Sequence, residues 1–159
     1  MRYVTVEREI PRRPEVVWEA LVDVAGFTSW VEGLVEARAR VDAPLADATV
    51  VDLTWRADKK PIRGVAEVTG FRPNVLLAVE TRIASGLFFD RASLEATPHG
   101  TRIEIVGEVM SGFGIGEYFA RQRGLLGAPN EPTALEKAYE RSIEAFAKRV
   151  AALSAIPYR

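Results

Sequence analysis

Apolar and polar residues alternate with a period near two through most of the first 110 positions, then give way to a period of 3.6 at the C-terminal end. Arg2–Ile10 sets Val4 and Val6 against Thr5, Glu7 and Glu9, which predicts a strand that Pro11 ends. Pro14 suits a first helical position, where its missing N–H costs nothing, and Val17, Trp18, Leu21 and Val24 follow at helical spacing through Gly26, the expected stop. Phe27–Gly33 has room for another turn or two, anchored by Phe27 and Trp30. Six strands are then predicted at Val35–Val41, Thr49–Ala57, Ile62–Phe71, Val75–Arg82, Leu87–Thr97 and Thr101–Met110. The links between them are short and turn-rich, so consecutive strands must be antiparallel neighbours. Val51, Leu53 and Trp55 oppose Asp52, Thr54 and Arg56, and Ile103, Ile105 and Val109 oppose Arg102, Glu104 and Glu108. Each strand has one wet and one dry face, which suits a sheet covered on one side.

The segment Thr133–Leu153 is the element that would cover it. Leu135, Tyr139, Ser142, Ile143, Phe146, Val150 and Leu153 share a stripe, with Lys137, Glu140, Arg141, Glu144 and Lys148 opposite. Thr133 and Glu136 read as a capping box, Lys148 and Arg149 suit the negative end of the helix dipole, and Pro157 stops continuation. At 1.5 Å per residue the helix is roughly 30 Å long, enough to cross a sheet. Between sheet and helix, Gly112, Gly114 and Gly116 precede a possible short helix, Glu117–Leu126, and Gly127–Pro129 interrupt again.

Composition narrows the function classes. The 159 residues, 48% hydrophobic and 27% charged, predict one domain, 1–159. A net charge of −1 without a basic block argues against a nucleic-acid partner. There is no cysteine and a single histidine, His99, which the turn Pro98–Gly100 places on a hairpin, so neither thiol chemistry nor a His-based metal site is expected. No apolar run approaches a membrane span and no signal-peptide core opens the chain, so a cytoplasmic protein without stable membrane insertion is expected, as monomer or homodimer. No nucleophile–base pair, phosphate loop or dinucleotide fingerprint is present, and no cofactor is expected.

The order strand, two helical pieces, six antiparallel strands and long helix, together with PEVVWEALVDVAGFTSWVEG at positions 14–33 and GTRIEI at Gly100–Ile105, resembles the START-related superfamily, also labelled SRPBCC. Pro14, Val17, Trp18, Leu21, Asp23, Phe27 and Trp30 carry the likeness. The resemblance implies an α+β helix-grip fold: a curved seven-stranded antiparallel sheet around the C-terminal helix, two short helices after the first strand, and an enclosed cavity. The superfamily includes polyketide cyclases and dehydratases, lipid and quinone carriers, hormone receptors and chaperone activators, so the resemblance specifies fold more closely than activity. The glycine-rich piece before the last helix departs from the compact members.

Several residues are candidates for a site. Asp90 shares the apolar frame of Phe88, Ala92, Leu94 and Ala96. There its carboxyl would titrate high and could act as a general acid or orient a ligand, unless a bulge near Ser85–Gly86 or Phe89 turns it to solvent. Tyr139 and Ser142 carry hydroxyls on the dry helix stripe, which must meet a ligand, a water or the backbone. Trp55 stands where members of the resembled superfamily line their pocket, although core packing explains it equally well. Trp18 and Trp30 read as core residues. Arg63, Glu67, Glu80 and Arg82 are expected to pair across strands on the solvated face. Tyr118 and Phe119, flanked by glycines, could form a lid or an ordinary packed turn.

The expected function is binding of a small hydrophobic ligand, such as a lipid, isoprenoid quinone or aromatic polyketide. Trp55, Phe88, Asp90, Tyr118, Phe119, Tyr139, Ser142 and Phe146 are its candidate contacts. The alternatives are a polyketide aromatase/cyclase or dehydratase using Asp90 or Tyr139 to move protons, and an interaction module resembling the chaperone activators, with a filled core.

Overall fold

The computed structural model describes residues 2–56, 60–84, 86–110 and 134–153. Seven strands, β1 (Arg2–Ile10), β2 (Leu34–Ala39), β3 (Val50–Trp55), β4 (Ile62–Arg72), β5 (Leu76–Ile83), β6 (Gly86–Thr97) and β7 (Gly100–Met110), form one antiparallel sheet in the order β1-β7-β6-β5-β4-β3-β2. β1 and β2 are consecutive in the chain yet lie at opposite edges. The crossing is made by helix α1 (Pro14–Leu21) and a 3-10 turn (Val24–Ser29). Arg2↔Val109 through Ile10↔Thr101 pair in unbroken register, and Thr101 Oγ1 donates to the Arg12 carbonyl at 2.6 Å, fixing the end of β1.

Strand ends differ from expectation by up to two residues, most at β2, which stops before the exposed Val41, and β3, which stops at Trp55. The helix expected through Gly26 ends at Leu21 instead. Gly26 donates to the Asp23 carbonyl at 3.0 Å inside the 3-10 turn, so it belongs to the next element. The space left by its missing side chain is taken by the Arg149 guanidinium. Glu80 and Arg82 pair along β5 at 2.9 Å rather than across strands, because both project from one face of the same strand.

The C-terminal helix α2 (Ala134–Ala152) buries Leu135, Ala138, Ile143, Phe146 and Val150, the last three completely. Leu153, placed on that stripe by its spacing, lies beyond the helix and is 40% exposed. Thr133 of the expected capping box, the helix expected at 117–126 and Pro157 lie outside the described residues. Three contacts fix α2. From β1, Arg8 reaches Glu140 at 2.7 Å and Glu144 at 3.1 Å. Arg12 donates to the carbonyls of Ala151 and Leu153 at 2.6 and 3.0 Å, supplying donors that the end of a helix lacks. Arg149 donates to Ser29 Oγ at 2.8 Å, linking α2 to the 3-10 turn.

Candidate functional site

The inward frames of the strands are apolar because alternation puts every second side chain on the same face. Val51, Leu53 and Trp55 of β3, Ala66 and Val68 of β4, and Phe88 and Ala92 of β6 are all buried there. Opposite them, α2 presents Leu135, Ala138, Tyr139 and Ser142. Between the two layers lies a cavity of about 200 Å³ whose described wall is almost wholly apolar.

Asp90 interrupts that wall. Its neighbours keep an unshifted register, with Val79 opposite it on β5 and Gly107 on β7, so no bulge between Gly86 and Ser93 turns it outward. It stays in frame with Phe88 and Ala92 and borders the cavity. The Tyr139 hydroxyl donates to Asp90 Oδ1, the one side-chain hydrogen bond that Asp90 makes among the described residues. Burial lifts the Asp90 carboxyl from 3.8 to about 6, partly opposed by the bond from Tyr139. Burial, then the adjacent negative charge and the bond to Asp90, push the Tyr139 phenol well above its usual range, so it remains the proton donor of the pair.

This contact exists because β7 carries glycine where the two elements meet. A Cβ on Gly107 would lie 2.5 Å from Cζ and 2.7 Å from Cε1 of the Tyr139 ring. Gly107 occupies the inward frame of Ile103, Ile105 and Val109, and a glycine in such a frame marks a close approach. That signal is present in the sequence, although alternation and helical spacing alone do not single it out.

Ser142 Oγ accepts the backbone N–H of Glu32 at 2.9 Å. The hydroxyl therefore bonds the backbone, but through an N–H rather than a carbonyl, and its own proton has no acceptor among the described residues. Trp55 and Phe88 line the cavity beside Asp90, Tyr139 and Ser142. Phe146 does not join them. It is fully buried and packs edge-on against Trp30, ring centroids 4.9 Å apart. Trp30, read as a core residue from sequence, borders the cavity as well. Trp18 packs away from it, edge-on to Phe71. Tyr118 and Phe119 lie outside the described residues, and His99 is exposed in the β6–β7 turn.

Among the described residues no Lys, Arg or His lines the cavity, while Asp90 and Glu32 do. The described residues contain no cluster of three or more His, Asp or Glu side chains able to hold a metal, and no helix among them is long and apolar enough to cross a membrane. The arrangement can enclose an apolar body, accept hydrogen bonds at one point of its wall and exchange a proton near neutral pH.

Residues 1–154 match the family model described as polyketide cyclase / dehydrase and lipid transport. No curated protein matches the sequence. Solved structures share the fold at low identity. TTHA0849 from Thermus thermophilus aligns with a TM-score of 0.72 at 17% identity, over 97% of this chain and 100% of its own. Ara h 8.0201 aligns at 0.64 and 12% identity, over 94% and 95%. DynU16, from the dynemicin biosynthetic locus, aligns at 0.63 and 15% identity, over 94% of this chain and 47% of its own. The shared architecture is the helix-grip fold, an open antiparallel sheet closed by one long helix.

Proposed function

Because the chain belongs to the polyketide cyclase / dehydrase and lipid-transport family, we propose that it binds a compact hydrophobic molecule between its sheet and α2. The observation that carries this reading is the cavity itself, about 200 Å³ with an apolar wall broken chiefly by the Asp90–Tyr139 pair. An apolar cavity of about 150 Å³ takes up one benzene molecule, so this volume suits a substituted ring or a small fused system. An extended acyl chain or isoprenoid tail fits it less well than an aromatic polyketide-like body. The apolar wall supplies affinity and the polar pair supplies orientation, the usual division in small-molecule sites.

Toluene or indole should then bind with a dissociation constant on the order of 0.1–1 mM, the range that efficient packing gives a ligand of so few atoms. Ala138→Phe puts a benzyl group into the space from α2 and should weaken that binding at least tenfold while leaving the far-UV circular dichroism unchanged. Binding that survives in a folded Ala138→Phe protein would place the ligand elsewhere and end this reading.

A further inference from the structure

We propose that the cavity takes its ligand as a cation, a protonated amine on a compact apolar body, with the Asp90 carboxylate as its counter-ion. This rests on the cavity reading above and names the chemistry of the same site. Three observations converge on it. First, the Asp90 carboxyl has one hydrogen-bond partner among the described residues, and that partner donates to it. The proton of Tyr139 is thereby used, and what the pair presents to a ligand is acceptor capacity: the second carboxylate oxygen and the phenol lone pairs. At this pair a ligand carbonyl or quinone oxygen would meet oxygen lone pairs, whereas an ammonium brings N–H donors.

Second, the charge of Asp90 has no cationic answer in the described wall. Val79 and Gly107 flank it on the sheet, and α2 reaches it with Tyr139. Among the described residues, the other carboxyl bordering the cavity is that of Glu32. A buried carboxylate without a paired cation is a costly arrangement that an incoming cation relieves, while an anionic ligand such as a fatty acid would add like charge. Third, Phe27, Trp30, Trp55 and Phe88 supply aromatic rings around the same space, and ring faces attract desolvated cations. With the carboxyl titrating at about 6, the anion dominates at neutral pH.

Matched one-ring probes separate these possibilities. Calorimetric titration at pH 7.5 should show benzylamine binding at least tenfold more tightly than benzyl alcohol, with toluene as the purely apolar reference. At pH 5 the benzylamine affinity should fall about tenfold, following the ionised fraction of Asp90, while toluene changes little. Asp90→Asn should remove the amine preference and keep toluene binding, which shows the cavity intact. Toluene binding with benzylamine no tighter than benzyl alcohol in the wild type would overturn the cation assignment and leave the cavity reading standing. Failure of all three probes would overturn both. An amine preference that persists in Asp90→Asn would overturn Asp90 as the counter-ion.

Discussion

A carboxylate in the apolar frame of a strand lowers stability wherever it is ionised, and the fold holds Asp90 at about 6 against an ordinary 3.8. The folded state binds this proton more tightly than the unfolded chain does, so the contribution is favourable at low pH and is lost as pH rises from about 4 to above 6. A rise of about two pH units, at 1.36 kcal/mol each, corresponds to about 3 kcal/mol over the full titration. Asp90→Asn should therefore gain on the wild type by about 2 kcal/mol between pH 4 and pH 7 in urea unfolding; a constant difference would mean that Asp90 is solvated or paired. Gly107→Ala tests the partner. Its methyl group must displace the Tyr139 ring, which should cost about 1–3 kcal/mol and, with the lowering bond lost, move the Asp90 carboxyl further up in an NMR titration. At this scale the sequence showed both members of the pair, Asp90 by alternation and Tyr139 by helical spacing. It did not show that they meet, because that depends on how close α2 lies to β7, which Gly107 decides.

Elements were legible wherever one face is dry. β3 and β7 bury the residues their alternation selects, and Leu135, Ile143, Phe146 and Val150 of α2 are buried as the 3.6 period requires. Ends were harder to read, since they depend on partners far along the chain: Gly26 serves the passage of Arg149, and Leu153 serves Arg12 through its carbonyl. Those long-range partners can be ranked. Arg12 closes the C-terminal end of α2 through two short bonds, one to a part-buried carbonyl, so Arg12→Ala should cost about 1–2 kcal/mol in chemical denaturation. Arg8 pairs with Glu140 and Glu144, whose side chains are each 48% exposed, so Arg8→Ala should cost less than about 1 kcal/mol, and less again in high salt. An Arg8→Ala loss as large as that of Arg12→Ala would contradict this ranking and mean that the ion pairs hold α2 at least as strongly as the helix cap does.

For the whole molecule, short links made β2 through β7 sequential neighbours, as observed. The place of β1 was not readable that way, because 23 residues separate it from β2 and its nine-pair ladder is with β7. The gap between sheet and helix was equally hidden, since alternation says which side chains face inward and not how far apart the facing layers stand. That gap underlies the functional account. Addition of toluene to methyl-labelled protein tests it most directly, with the response read residue by residue in carbon–proton correlation spectra. Saturating shifts should appear at the methyls of Val51, Leu53, Ala92 and Ile105, which line the cavity, and not at the exposed Val65 and Val75. Unmoved cavity methyls, or shifts confined to Val65 and Val75, would contradict an interior binding site.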